Sequence, residues 1–225
     1  MNTNELDDDD RVLPAAEMLA LLKEQQRSVE SQKGGFVPLI LLAWGVAWLV
    51  GFGALWLVDG LGDSFSLPIA VAAPIFVVLL IAAGALSAFL GIRSSRGMRG
   101  SREGAFVGIL YGQSWWVGSI AIYVIGMALV HNGMDRDLLS IFYPSVFIFF
   151  AGLMYIMAAA LWRALPMLFL GLWSIVVCCA APFFGQPTHY LVYALAGGGA
   201  FLIAGGVSAI WIRRGRRRLA GAPRS

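Results

Sequence analysis

The stretch Ala164–Ile212, ALPMLFLGLWSIVVCCAAPFFGQPTHYLVYALAGGGAFLIAGGVSAIWI, runs for 49 residues without one Asp, Glu, Lys or Arg. A helix crosses a hydrocarbon layer about 30 Å thick with about 20 apolar residues, so this block holds two crossings. Its one turn-like segment is Gly185-Gln186-Pro187-Thr188-His189. The cut there gives spans over about 165–184 and 190–212. Four more charge-free blocks precede it: Phe36–Val58, Ser64–Ile92, Gly104–Met134 and Leu138–Trp162. They supply spans over about 36–58, 67–92, 106–130 and 138–162. The whole chain is 59% apolar and 13% charged, about half the charge of a soluble domain. A soluble fold with one core has no means of covering such blocks. Backbone groups in lipid must bond within the segment, and no period-two alternation marks a barrel. The expected fold is therefore an all-α, polytopic membrane protein of six transmembrane helices.

The charges between the blocks set an orientation. With six spans, fifteen of the sixteen Lys and Arg fall on one side, in the N-terminal tail, around 93–102, at Arg163 and in the C-terminal tail. Only Arg136 falls on the other. The positive-inside rule then places both termini in the cytoplasm, and the lopsided split itself favours an even number of spans. Arg outnumbers Lys 14 to 2 beside abundant Ala and Gly, which reads as a bacterial coding bias and hence the plasma (inner) membrane. The first apolar run starts only at Phe36 and is too long for a signal peptide.

Three regions follow. Residues 1–35 form a cytoplasmic segment with an acidic tail, Asp7-Asp8-Asp9-Asp10, and a short amphipathic helix from Pro14 to about Glu30, ended by Gly34-Gly35. That helix suits a membrane interface or, alternatively, a cytosolic partner. Residues 36–212 form the transmembrane domain, and 213–225 a basic cytoplasmic tail. Arginines directly after a span anchor topology and attract anionic lipid rather than nucleic acid.

Much chemistry is missing. No carboxylate, Lys or Arg lies within a span, which argues against proton-coupled antiport. No phosphate loop and no intramembrane protease motif occurs, so the expectation is a non-enzymatic protein without cofactor. His131 and His189 sit near span ends with Asp135 and Asp137 nearby, but their spacing fits no metal motif and no metal is expected. Cys178 and Cys179 are adjacent on a helix, about 100° apart, and read as reduced packing residues.

Small residues recur at four-residue steps: Ala43, Ala47 and Gly51; Gly108 and Gly112, then Ser119 and Gly126; Ala196, Ala200, Ala204 and Ser208. Such steps let helices approach closely, within the bundle or between two copies of the chain. Ordered by depth at 1.5 Å per residue, several aromatic and polar side chains share a layer about 10–15 Å from the inner face, deeper than an interfacial belt. This layer predicts an inner-half cavity lined by Trp44, Trp48, Tyr111, Gln113, Trp115 and Tyr155, suited to a flat apolar or cationic ligand. The competing interpretation is polar contact within a packed bundle, with Gln113 bonded to Tyr111 or Tyr155.

The segments Trp44-Gly45-Val46-Ala47-Trp48-Leu49-Val50-Gly51, Tyr111-Gly112-Gln113-Ser114-Trp115, Leu170-Gly171-Leu172-Trp173 and Ala196-Gly197-Gly198-Gly199-Ala200 resemble those of an actinobacterial family of six-helix integral membrane proteins, sometimes labelled transporters. Its members carry a short N-terminal helix rich in Gln and Arg, matched here by Gln25-Gln26-Arg27. The resemblance runs from about Ala15 to Ile212 and implies a fold and a compartment, but no catalytic residue. The Asp run and the Arg-rich tail depart from it.

Two functional readings stay open. One is a transport component or permease-like protein for a small apolar or amphiphilic compound, working passively or with a separate ATPase. The other is a regulatory scaffold whose N-terminal helix recruits a cytosolic partner. The lipid bilayer is a partner in both, a second copy of the chain fits either, and nucleic acid fits neither.

Overall fold

The computed structural model describes residues 18–19, 36–95 and 102–220. The acidic tail and, beyond a helical Met18-Leu19 pair, the expected amphipathic helix lie outside the described residues, as do residues 221–225. The described chain is helical with no strand. Six of its helices are long and apolar enough to cross a membrane, as the uncharged blocks require.

The first, α1 (Val37–Trp56), opens with Pro38 in its first turn, where a missing N–H costs nothing. A turn held by Leu67 N–H to the Leu57 carbonyl leads to α2 (Ile69–Ser95). Next comes α3 (Arg102–His131). In α4 (Arg136–Trp162) the Asp135 carboxylate caps the start, accepting from Leu138 N–H at 2.7 Å. Arg163, in the left-handed conformation at φ 52°, ends α4 and turns the chain within two residues into α5 (Leu165–Ala180). A 3₁₀ turn, Ala181–Phe184, extends α5. The last element, α6, is composite: α-helical over Thr188–Val192, π-helical over Tyr193–Gly198, and α-helical again over Gly199–Ala220. Helix thus continues past the apolar block into the residues expected to form the basic tail.

Packing follows a curled row. α1 lies along α2 on one side and along all three parts of α6 on the other. α5 and its 3₁₀ turn join α6 to α4, and α3 leans on α4. The ends of the row, α2 and α3, barely touch among the described residues. Two glycine contacts bring the central helices together. A Cβ on Gly198 would stand 2.8 Å from the Leu49 backbone nitrogen, and one on Gly171 would stand 2.7 Å from the Gly152 carbonyl oxygen. No larger residue fits at either place. The expected contact through Gly108 and Gly112 is not made: nothing lies within 4 Å of a Cβ at either. α3 instead receives the rings of Phe150 at Gly118 and of Tyr143 at Gly126, the last of the small residues singled out on this helix from sequence.

The core forms where α1, α4, α5 and α6 converge, around Trp48, Phe52, Ile148, Val177, Tyr193 and Phe201. Several polar atoms inside it are paired across helices. Tyr193 and Ser145 hydroxyls bond at 2.8 Å, linking α6 to α4, while Ser145 also donates to the Ile141 carbonyl. In the π segment the Ala196 carbonyl accepts from Trp173 Nε1 at 2.9 Å, linking α6 to α5.

A candidate ligand cavity among four helices

The curl of the row leaves a cavity of about 370 Å³, within the range of small-molecule sites. Four helices line it, and each contributes side chains at steps of four, the spacing that keeps one helix face in line. α1 gives Trp44, Trp48 and Phe52; α2 gives Phe76 and Leu80; α3 gives Trp115 and Ser119; α4 gives Tyr143, Phe147, Ala151 and Tyr155. Pro144 and Ile148 complete the α4 wall. Phe201 of α6 packs beneath, its ring 5.1 Å from Trp48 and 5.9 Å from Tyr155. Trp115 stands edge-on to Phe150 and Tyr155 at 5.5 and 6.0 Å. Such aromatic pairs hold the walls in fixed orientation.

Of the six side chains singled out from sequence, the structure brings Trp44, Trp48, Trp115 and Tyr155 to this cavity. Tyr111 stands behind Trp115, against Trp162 at 4.8 Å, and its hydroxyl donates to the Met154 carbonyl at 3.2 Å. It braces α3 on α4 and does not line the space. Gln113 is exposed on α3, where it faces away from the cavity. Two positions from Trp115 on a helix is a rotation of about 200°, so both cannot face one space. Nor does Gln113 bond Tyr111 or Tyr155. The cavity is also longer than the expected layer. Phe52 lies eight residues, about 12 Å, beyond Trp44 along α1, and Tyr143 lies about 18 Å from Tyr155 along α4. Depth alone could not find Phe52, Phe76, Ser119 or Tyr143. The four-residue steps were the signal, had they been followed for aromatic as well as small residues.

Trp44 also ties the wall together. Its Nε1 donates to Ser87 Oγ at 3.0 Å, and that hydroxyl donates on to the Ala83 carbonyl at 2.8 Å. This is a side-chain bond between α1 and α2, formed in an apolar setting where an unpaired N–H is costly. On the opposite wall, the Tyr143 hydroxyl donates to the Tyr123 carbonyl at 3.2 Å, joining α4 to α3.

His189 has a structural place that the sequence did not disclose. It is wholly buried. Its Nε2 lies 3.3 Å from the Ser140 carbonyl, and its Nδ1 lies 3.1 Å from the Gly185 carbonyl. Pro144 explains the first contact. Proline has no N–H to give to the carbonyl four residues earlier, which here is that of Ser140. A neutral imidazole has one N–H, and in the tautomer protonated at Nε2 it supplies the donor that α4 lacks. His131 ends α3, and Cys178 and Cys179 are unbridged, one buried and one exposed.

No protein-family model, curated protein or solved structure matches the chain.

Proposed function

We propose that this integral membrane protein is a non-enzymatic transport component, permease-like, for a small apolar or amphiphilic compound held in the four-helix cavity. The observation that carries this reading is an aromatic-walled space of about 370 Å³ between two helix pairs whose end helices, α2 and α3, barely touch. Among the described residues each end helix packs mainly on one neighbour, so the space is bounded on one side by a weak seam. A compound dissolved in the bilayer meets that seam without crossing water. No span carries a coupling carboxylate, so passage would run down a gradient or draw on a separate ATPase. The segregation of fifteen of sixteen Lys and Arg supports cytoplasmic termini in a bacterial plasma membrane, and the segments named above support kinship with the six-helix actinobacterial family.

The test is ligand-dependent thermal stabilisation of the full chain in lipid nanodiscs, followed by efflux of the stabilising compound from proteoliposomes. Stabilisation that is lost when Ala151→Phe fills the cavity, together with efflux above that of empty liposomes, is the expected result. Compounds that stabilise the filled variant equally would overturn the site. Binding without efflux would overturn transport and leave a receptor.

A further inference from the structure

Three polar atoms on the cavity wall make no hydrogen bond with any described residue, and together they indicate what the cavity receives. Serines in lipid-spanning helices ordinarily return their hydroxyl to the carbonyl four residues back. Ser87, Ser114, Ser145 and Ser174 all do so. Ser119 lines the cavity, and its hydroxyl makes no such bond. Trp48 is 6% exposed, and the Cε3–Cζ3 edge of its indole lies against Gly197 of α6. Nε1 is on the opposite edge of the ring, and no described residue accepts from it. Tyr155 is held by Trp115 and Phe201 through its ring, while its hydroxyl is unbonded. No unpartnered side-chain nitrogen or oxygen is sealed inside the described protein, so none of the three atoms is fully closed off by its neighbours. Counted along their helices, Trp48 is about 16 Å from the start of α1, and Tyr155 about 10 Å and Ser119 about 22 Å from the ends of α4 and α3 on the same side. The indole thus sits between the two hydroxyls in depth.

An unpaired donor in an apolar cavity is costly, and an indole N–H can be satisfied only by an acceptor. The two hydroxyls donate as readily as they accept. No Asp, Glu, Lys or Arg lines the space, so a charged group would enter without a counter-charge. The geometry points to a neutral apolar molecule bearing a carbonyl-type acceptor oxygen, whose two lone pairs take one hydrogen bond from Trp48 Nε1 and a second from one of the flanking hydroxyls, Ser119 Oγ or Tyr155 Oη, while its ring or chain lies among the aromatic walls. This assignment rests on the cavity reading above and narrows it from apolar or amphiphilic compounds to neutral acceptors.

The experiment uses the full chain in nanodiscs and three probes of matched length added at equal mole fraction to lipid: undecane, 2-undecanone and undecylammonium. The readout is the shift in thermal midpoint, titrated to an apparent affinity. The ketone is expected to bind at least fivefold more tightly than the alkane or the ammonium. Trp48→Phe and at least one of Ser119→Ala and Tyr155→Phe should each weaken the ketone about fivefold and leave the alkane unchanged, the effect of losing one neutral hydrogen bond. Ser119→Ala removes a single hydroxyl that holds no helix contact, so it keeps the test open if the aromatic variants fold poorly. Equal binding of ketone and alkane, a preference for the ammonium, or three variants that leave ketone affinity intact would overturn the assignment while leaving the cavity reading in place. No shift with any probe would overturn both.

Discussion

α1 and α3 are both apolar helices, but they live differently. In α1, 39% of the most apolar window is buried inside the protein; in α3 the figure is 11%, the same as in α2. α1 is gripped by α2 and α6 and meets α6 through a glycine that admits no Cβ. Among the described residues α3 rests mainly on α4, and Trp116 and Val117 stand 70% and 66% exposed. The difference teaches where stability and freedom are placed. In lipid, apolar character does not drive helices together, so association depends on close packing and on interhelical hydrogen bonds. α1 and α6 have both. α2 packs along α1 and α3 leans on α4, but among the described residues the two barely meet each other, which leaves a seam between them.

The largest expected effect tests the tight half. Gly198→Leu sets a side chain against the Leu49 backbone, which cannot turn aside as a side chain can. A loss of about 3 kcal/mol or more in the folded state, or no recoverable protein, is expected in a detergent unfolding assay. A variant as stable as the parent would break the contrast between α1 and α3.

Next comes the junction of α4 with α6. His189→Ala leaves the Ser140 carbonyl without a side-chain donor, while the Gly185 carbonyl keeps the His189 backbone N–H, and should cost about 1–3 kcal/mol. Adding Pro144→Ala returns an amide N–H to Ser140, so the double variant should recover part of that loss. A double-mutant cycle reads this coupling directly, and strictly additive losses would show that His189 does not stand in for the missing helix bond.

Smaller again is the strap on the loose side. Trp44→Phe removes the hydrogen bond to Ser87 and should cost about 1 kcal/mol, with Ser87→Ala adding little once the indole N–H is gone. Faster hydrogen exchange confined to α2 is the expected signature, and equal acceleration in α6 would contradict the placement of the strap. Smallest is Gly112→Ala, where nothing lies within 4 Å of the added methyl. The change should be neutral or stabilising by less than about 1 kcal/mol, from the better helix propensity of alanine. A clear loss of stability would mean that this face of α3 meets a partner, a second copy of the chain being the first to test by crosslinking.

The sequence by itself determined that there are six apolar helices and roughly where they lie. Charge cannot enter hydrocarbon cheaply, so its absence over long blocks is a strong and local signal. The same residues yielded Trp44, Trp48, Trp115 and Tyr155 as candidates, because aromatic side chains deep in a span are unusual. Tertiary structure alone decided the rest. Which way a helix faces depends on its neighbours, and depth says nothing about rotation, so Gln113 shared a layer with Trp115 yet stands on another side of α3. The contact of Gly198 with Leu49 involves residues far apart in the chain, and small residues at regular steps did not distinguish it from the unused pair Gly108 and Gly112. The same holds for His189, whose partner at Ser140 is 49 positions away. A proline and a histidine in separate segments carry no sign of each other until folding brings the carbonyl left without its amide donor up to the ring that can supply one.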